Sequence, residues 1–180
     1  ASMERIFQIM DEVPRVQDNA DARPLPAIEG RVSFDDVTFA YNHDKVVLKN
    51  VSLEVAPGQT VALVGETGAG KTTIVNLISR FYDVTGGRVM VDGQDIRGVT
   101  LHSLRSQMSV MQQDSFTFSG TIMENIRYGR LNASDDEVMA AARAVGAEDF
   151  ILQMPRGYQS EVSERGSSLS TGQKQLVAFA

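Results

Sequence analysis

The segment from residue 61 to residue 80 restricts the fold of this chain more than any other feature of the sequence. Residues 61–64 read VALV, residues 65–72 read GETGAGKT, and a helical pattern follows to about Arg80. A short apolar run that ends at a glycine is typical of a fully buried strand. The segment therefore predicts a strand, a glycine-rich loop and a helix, which is a unit of α/β folds.

Residues 65–72 fit the pattern G-x-x-x-x-G-K-[ST], which gains specificity when it lies between a strand and a helix. Glycines allow backbone N–H groups to turn inward around a phosphate, and the start of the helix adds a partial positive charge. Lys71 would reach the β- and γ-phosphates, and the Thr72 hydroxyl would be a ligand of Mg²⁺. The segment predicts a nucleoside triphosphate site. Its predicted binding residues are Gly65, Glu66, Thr67, Gly68, Ala69, Gly70, Lys71, Thr72 and Thr73.

Composition excludes several other kinds of site. The 180 residues include no cysteine, which excludes disulfides, thiolate metal sites and thiol nucleophiles. The two histidines, His43 and His102, are too few for a multi-histidine metal centre, and we expect both to be solvated. A net charge of −6 argues against a surface that coats nucleic acid. No apolar run approaches the ~20 residues that span a bilayer, and no signal peptide opens the chain, so we expect a soluble, cytosolic domain.

The rest of the pattern predicts strands and helices on both sides of the loop. Helical spacing in residues 1–13 ends at Pro14, and residues 18–30 have the composition of a linker. The strand alternation breaks near Asp35–Asp36, and Gly86–Gly87 predicts a turn. Strands are predicted at 32–41, 46–55, 61–64, 88–91 and 109–111.

The second half of the chain is helical in character from 121 to 154. Ser134 and Glu137 have the spacing of a capping box, in which each side chain satisfies a backbone N–H of the other. Residues 156–168 predict an exposed loop, and a last helix begins near Ser170.

Three further motifs accompany the glycine-rich loop. Residues 39–41 read FAY, residues 110–114 read VMQQD, and residues 169–176 read LSTGQKQL. Together with residues 65–72, they resemble the aromatic loop, Q-loop, signature motif and phosphate loop of the ABC (ATP-binding cassette) ATPases. The resemblance covers nearly the whole chain from Val32 to Ala180, and four motifs in family order are far more specific than any one of them.

The resemblance implies roles for single residues and implies ATP and Mg²⁺ as the ligands. Tyr41 would stack on adenine, and Gln113 would bring its side-chain oxygen to Mg²⁺ and to the attacking water. At the start of the last helix, the signature residues would contact the ATP of a partner subunit. These signature residues are Ser170, Gly172 and Gln173.

Each role has an ordinary structural alternative. Tyr41 also suits a core aromatic residue of a strand. Gln113 also suits a surface loop, and its neighbour Gln112 leaves the register open by one residue. Ser170 also suits a simple N-cap. Thr171 stands where the family most often has glycine, but the serine and the second glycine of the motif are kept, so we expect function to survive.

The resemblance implies a P-loop NTPase of the α/β class. Its RecA-like core would have a mostly parallel sheet, an antiparallel β portion from the first strands, and a helical subdomain inserted at about 114–168. Residues 1–30 would be a linker helix and linker from a membrane domain, and residues 31–180 would be the nucleotide-binding domain.

Three segments resemble the exporter branch of the family. They are residues 118–126 (FSGTIMENI), residues 161–166 (EVSERG, similar to the X-loop) and the opening ASMERIF, which resembles the helix below the last membrane span. The resemblance implies head-to-tail pairing with a second nucleotide-binding domain, in a homodimer or a heterodimer. It also implies contact with a transmembrane domain through the Q-loop and Glu161–Gly166. ATP hydrolysis would then drive export from the cytoplasmic face of the membrane, with no nucleic acid as a partner.

Some catalytic elements of the family have no counterpart before Ala180. These are the Walker B strand that ends in Asp-Glu and the switch histidine. If the polypeptide ended at Ala180, we would expect marginal folding, weak nucleotide binding and no appreciable hydrolysis. Two alternatives stay open: a non-catalytic nucleotide-binding fragment or regulator, and a soluble ABC ATPase that acts on nucleic acid or ribosomes. The acidic balance and the first helix count against the latter.

Overall fold

Two structural units divide the chain, Ala1–Ser109 and Val110–Ala180. The computed structural model describes residues 2–42, 45–111, 116–163 and 169–180. The helices and strands of the first unit are α1 (Ser2–Met10), β1 (Val32–Ala40), β2 (Val46–Val55), α2 (Lys71–Ile78), β3 (Gly86–Val91), β4 (Gln94–Asp95) and α3 (Leu101–Arg105).

Strand β1 lies inside a four-stranded antiparallel sheet of order β2-β1-β3-β4, which confirms the antiparallel β portion. The predicted break in β1 is present, because the register with β2 shifts between Phe34 and Val37 and Asp36 has a φ of 51°. Gly87 of β3 lies against this bulge. A Cβ at Gly87 would come within 2.3 Å of the Asp36 carbonyl oxygen, so the bulge requires glycine there.

The core of the first unit joins this sheet to helices α2 and α3. Alternating apolar residues of the strands supply one side of the core, and Leu77 and Leu104 supply the other. The buried members are Leu25, Phe34, Val37, Phe39, Leu48, Leu77, Val89, Val91, Ile96, Val99 and Leu104.

Arg80 is a buried cation just beyond the C-terminal end of α2 and is only 1% exposed. Its guanidinium donates hydrogen bonds to the carbonyls of Ile96, Val99 and Gln17 at 3.1, 3.2 and 3.2 Å. It also pairs with Asp83 at 2.9 Å. A buried charge requires such partners. Arg80 thereby joins the segment before β1 to the end of α2.

The segment that precedes β1 is bound to the first unit along much of its length. The Asp92 carboxylate accepts hydrogen bonds from the backbone N–H groups of Glu29 and Arg31, each at 2.8 Å. The Asp18 carboxylate accepts one from the backbone of Leu101 at 2.7 Å. The predicted linker is therefore held against the body of the unit.

Some predicted strands are not formed. Residues 61–64 and 109–111 have no regular secondary structure, and the former are exposed. A strand is stabilised by hydrogen bonds to its neighbours, and the described part of the chain places no strand beside either segment. Parallel pairing in that part is limited to an isolated bridge between Arg23 and Val99. Gly86–Gly87, predicted as a turn, begins β3 because β1 pairs with it.

The second unit is mainly helical, as predicted. Its elements are β5 (Gly120–Thr121), α4 (Ile122–Arg127), α5 (Asp135–Ala144), α6 (Glu148–Gln153), β6 (Glu161–Val162) and α7 (Thr171–Phe179). The capping box of Ser134 and Glu137 at the start of α5 is confirmed. Buried residues of the helices, such as Ile122, Ala142 and Ile151, form a separate apolar core. None of the described helices is long and apolar enough to cross a membrane.

Candidate nucleotide site

The glycine-rich loop of residues 65–70 leads directly into α2. Gly68 and Gly70 have φ values of 88° and 93°, in the left-handed region that favours glycine. A Cβ on Gly70 would lie 2.8 Å from the Cδ2 atom of Leu48. The backbone conformation therefore favours glycine at position 70, and a Cβ there would also require the Leu48 side chain to shift.

The start of α2 has no side-chain cap, because its N-cap residue is Gly70. The first N–H groups of a helix have no partners within the helix, and the helix dipole places a partial positive charge there. Lys71 adds a cation at the same loop, since its Nζ atom donates hydrogen bonds to the carbonyls of Gly65 and Glu66 at 2.7 and 2.8 Å. These groups form a cradle that suits an anion such as a phosphate.

The predicted loop residues differ in their exposure to solvent. Lys71 is half-buried, whereas Gly70 and Thr73 are buried. Thr73 is only 4% exposed, and its Oγ1 atom lies 3.0 Å from the Tyr41 hydroxyl, within hydrogen-bond distance. The exposed members of the set are Gly65, Glu66, Thr67, Gly68, Ala69 and Thr72.

Tyr41 lies just after β1 within a cluster of three aromatic rings. Its ring centroid is 4.9 Å from that of Phe39 and 5.0 Å from that of Tyr82, at interplanar angles of 84° and 87°. These are edge-to-face contacts. Tyr41 remains 39% exposed, so part of the side chain is accessible to a ligand. Sequence reasoning missed Tyr82, although the pair Phe81-Tyr82 directly after a predicted helix was an available signal.

The second unit carries the signature residues at the start of α7. Ser170 is the N-cap, and its Oγ atom accepts a hydrogen bond from the Gln173 N–H at 3.2 Å. The Gln173 side chain accepts one from the Ser170 N–H at 2.9 Å, which completes a capping box. Gly172 is exposed, and a Cβ built on it would meet no atom of the described residues within 4 Å. The structural alternative for Ser170, an N-cap, is thus present in this chain.

Several predicted residues lie outside the described part of the chain. Gln113 and His43 are among them, as are residues 164–166 of the segment that resembles the X-loop. The beginning of that segment is strand β6, which pairs with β5. His102 is exposed on α3, as predicted.

Residues 48–180 match the model of a protein family described as ABC transporter. The chain belongs to the ABC transporter family. Among the solved structures, the chain is similar to a bacterial Atm1-family ABC exporter with ATP bound, at 47% sequence identity and a TM-score of 0.92. This similarity covers 98% of the chain and 31% of that exporter, and it confirms the P-loop α/β fold class.

Other ABC transporter relatives match over nearly the whole chain. It is 55% identical over 180 residues to YknV of Bacillus subtilis, an uncharacterized ABC transporter ATP-binding protein, and covers 30% of that protein. It is 51% identical over 178 residues to ATP-binding cassette sub-family B member 6 of Rattus norvegicus and covers 21% of it. A fatty acid ABC transporter ATP-binding/permease protein of Mycobacterium tuberculosis is 47% identical over 181 residues, with 28% covered. The chain thus spans less than a third of the length of these relatives.

Proposed function

We propose that this chain is the ATP-binding domain of an ABC exporter and that residues 65–73 bind ATP together with Mg²⁺. The observation that carries the proposal is the uncapped start of α2, which follows a loop where position 70 has a φ that favours glycine. Thr72, exposed in the first turn of α2, and Gln113 would hold Mg²⁺, which neutralises phosphate charge when bound. The ATP-binding relatives support ATP as the nucleotide.

The start of α7 serves the ATP of a second nucleotide-binding domain. A helix N-terminus favours negative charge, and no atom of the described residues lies within 4 Å of a Cβ built on Gly172, which would allow a γ-phosphate to approach the backbone. The Ser170 hydroxyl accepts a bond from Gln173 and keeps its own proton as a donor. Head-to-tail pairing of two domains would complete two sites, each with ATP between the loop of one subunit and the signature of the other.

The second unit also offers a surface for the transmembrane domain. Its exposed apolar patch consists of Phe116, Phe118, Tyr128 and Leu131, which are 44–74% exposed. The rings of Phe118 and Tyr128 lie 4.4 Å apart beside a groove of about 440 Å³. Exposed apolar patches mark protein interfaces. The patch adds to the contacts proposed for the Q-loop and Glu161–Gly166.

The proposed contacts imply where the chain lies relative to the membrane. Residues 1–30 would connect the nucleotide-binding domain of residues 31–180 to the membrane domain. Hydrolysis of ATP would drive export of a substrate, and the domain would lie at the cytoplasmic face of the membrane. The chemistry of the exported molecule belongs to the membrane domain.

Engineered cysteines test the head-to-tail arrangement, because this chain has no cysteine of its own. The exposed residues Thr67 and Thr171 are each replaced by cysteine, in two separate variants of the full-length protein from which any other cysteines are removed. The two variants are then mixed. We expect a disulfide-linked dimer in the mixture when ATP is added, and none in either variant alone. Cross-linking that is independent of ATP, or equally strong in one variant alone, would contradict the proposal.

A hydrolysis assay on the cysteine-free full-length protein separates the exporter from its alternatives. We expect Mg²⁺-dependent release of phosphate from ATP. A protein that binds ATP but never releases phosphate would be the non-catalytic alternative. Stimulation of hydrolysis by nucleic acid or ribosomes, rather than by the membrane domain, would support the soluble ATPase.

A further inference from the structure

We propose that Asn125 is a positioning residue for the surface that faces the transmembrane domain. Its side chain ties the segment of residues 118–121 to α4 and thereby keeps the exposed apolar patch and strand β6 in one fixed arrangement. The inference rests on the proposed function, because it presupposes that this surface contacts a transmembrane domain.

The Asn125 side chain makes three hydrogen bonds to the segment that precedes its own helix. Its Oδ1 atom accepts one from the Phe118 N–H at 2.7 Å, and its Nδ2 atom donates to the carbonyls of Phe118 and Thr121 at 3.0 and 2.9 Å. An asparagine amide has an acceptor oxygen and two donor hydrogens, so all of these groups are used. A carboxylate lacks the donors and an aliphatic side chain lacks both, so the arrangement requires an amide.

The hydrogen bonds of Asn125 are not needed to begin α4. The helix has its own capping box, in which the side chains of Thr121 and Glu124 each accept a bond from the backbone N–H of the other. Two of the Asn125 bonds go instead to Phe118, which lies outside the helix. They hold the N–H and the C=O of one residue, as a neighbouring strand would. Asn125 therefore fixes the path by which the chain enters α4.

The end of this segment is also one half of the β5–β6 pair. Thr121 of β5 pairs with Glu161 of β6, and the Ile122 N–H donates to the Ser160 carbonyl at 3.1 Å. Each strand has only two residues, and so short a pair is marginal without further support. Asn125 supports the β5 side, because its Nδ2 atom holds the Thr121 carbonyl. The position of β6, which begins the segment that resembles the X-loop, thus depends on Asn125.

The beginning of the segment carries part of the exposed apolar patch. The centroid of the Phe118 ring lies 4.4 Å from that of Tyr128 and 5.0 Å from that of Phe116. Asn125 lines the same groove of about 440 Å³ and holds the Phe118 backbone at both of its polar groups. A side chain on a fixed backbone loses less conformational entropy when a partner binds it. The hydrogen bonds of Asn125 thus preorganise the patch for docking.

One side chain therefore acts on both parts of the surface. Its loss should weaken docking of the transmembrane domain at the patch and at β6 together. Binding of MgATP should be retained, because the cradle of residues 65–70 belongs to the other structural unit. A residue that only stabilised the second unit would act through the free energy of unfolding and would have no such local effect.

Hydrogen exchange measured by mass spectrometry tests the bonds in the full-length protein. Asn125→Leu keeps a side chain of similar size and removes all three bonds. We expect the backbone amides of residues 118–122 and 161–162 to exchange about tenfold faster, the upper range for one lost hydrogen bond. Ser134→Ala is the matched control, because it removes the N-cap of α5 in the same unit. It should leave the exchange of both segments unchanged.

Photo-cross-linking of the full-length protein in lipid nanodiscs tests docking. Benzoylphenylalanine replaces either Leu131 of the patch or Glu161 of β6, which are both exposed, and mass spectrometry identifies the captured peptides. Both probes should capture peptides of the transmembrane domain. Asn125→Leu should lower both yields about fivefold, at the lower end of coupling between sites, and Ser134→Ala should lower neither. The affinity for a non-hydrolysable ATP analogue should be the same in all of these proteins.

A second variant keeps the test informative if Asn125→Leu does not fold. Asn125→Asp keeps the acceptor for the Phe118 N–H and loses both donors. We expect it to free the Thr121 carbonyl and to lower the yield of the probe at Glu161. An unchanged yield at that probe would contradict the link between Asn125 and β6.

Four results would overturn the inference. Unchanged exchange of residues 118–122 in Asn125→Leu would show that the side chain does not hold this segment. Faster exchange with unchanged cross-linking would show that it does not position the surface. A loss at one probe alone would show that the patch and β6 are not held together, and equal losses in Ser134→Ala would show a general loss of stability.

Failure of the proposed function has a different signature. If neither probe captures the transmembrane domain in the protein with Asn125 intact, the proposed contact itself fails, and the inference fails with it. The exchange measurement distinguishes this outcome, because it detects the hydrogen bonds of Asn125 whether or not the surface has a partner.

Discussion

Helices α2 and α7 both begin at predicted nucleotide-binding motifs, but their N-termini differ in side-chain capping. Helix α2 begins after Gly70, which supplies no side chain, so its first N–H groups face an exposed loop without a cap. Helix α7 begins after Ser170, whose capping box with Gln173 already satisfies part of its start. The uncapped N-terminus of α2 suits an anion, whereas the N-terminus of α7 is stabilised by its own capping box.

The glycines of the two motifs show the same contrast. Gly70 is favoured by this chain itself, because its φ is positive and a Cβ there would displace the Leu48 side chain. Among the described residues, Gly172 has no such internal reason, because none of their atoms lies within 4 Å of a Cβ built on it. A glycine without a reason inside the subunit suggests a reason outside it, which agrees with the partner subunit proposed above.

The largest expected effect is that of Lys71→Ala. Removing a charged donor from the loop should weaken binding of MgATP by about a hundredfold, which corresponds to about 2.7 kcal/mol. Titration calorimetry measures it, with Lys49→Ala as the matched control, since Lys49 is an exposed lysine on β2. Equal losses in the two variants would contradict the assignment of the cradle.

The second effect compares Gly70→Ala with Gly172→Ala. Alanine at position 70 should lower the free energy of unfolding by about 1–2 kcal/mol, because its φ would be strained and the Leu48 side chain would have to shift. Alanine at position 172, in the first turn of α7, should change it by no more than about 0.5 kcal/mol, because the position is exposed. Urea denaturation measures both values. In ATP-dependent cross-linking, by contrast, Gly172→Ala should reduce the dimer.

The third effect separates a simple cap from a ligand contact. Ser134→Ala and Ser170→Ala each remove the N-cap of a capping box, so each should cost about 1 kcal/mol of unfolding free energy. Only Ser170→Ala should also slow ATP hydrolysis, by about tenfold for one lost hydrogen bond to phosphate. The same hydrolysis rate in both variants would leave Ser170 with the structural role alone.

The smallest effect is a difference in pH dependence between the two capping boxes. Hydrogen bonds from the Ser134 backbone N–H and hydroxyl, together with Arg130, hold the pKa of Glu137 below its ordinary value. Because the folded pKa is below the unfolded value of about 4.3, the stabilisation is complete above pH 4.3. It is lost as the pH falls through the folded pKa. Gln173 carries no titrating group, so the start of α7 should not respond.

Backbone amide shifts measured by NMR between pH 7 and pH 2 check this difference. The Ser134 amide should titrate with a midpoint below the ordinary glutamate value, and the Ser170 amide should stay unchanged. Glu137→Gln should remove the titration at Ser134. A Ser134 midpoint at or above the ordinary value would refute the cause given for the shift.

Sequence reasoning succeeded where an element depends on residues close to it in the chain. The bounds of β2 and the capping box of Ser134 and Glu137 agree with prediction, because alternation and cap spacing are local signals. Residues 61–64 and 109–111 were wrong as strands, because a strand needs hydrogen-bonded neighbours that no local pattern supplies.

The same distinction applies to the candidate site. The cradle of residues 65–70 is a continuous motif, so its loop and the helix that follows could be predicted from the sequence. The contact between Tyr41 and Thr73 joins residues 32 positions apart, and no spacing rule connects them. The pair Phe81-Tyr82 after a predicted helix was a local signal, but it does not indicate that the Tyr82 ring contacts Tyr41, because only the folded chain brings the two together.

The hydrogen bonds that hold the segment before β1 have a mechanical meaning. A flexible linker under tension extends, up to about 3.3–3.6 Å for each residue, and does not transmit the force until it is extended. This segment can extend little, because hydrogen bonds to the Asp18 and Asp92 carboxylates hold it at two places and Arg80 donates a hydrogen bond to the Gln17 carbonyl. The segment is therefore held as a rigid connection and not as a flexible linker. A force applied near residue 17 is therefore delivered to the end of α2, the helix whose other end carries the phosphate cradle.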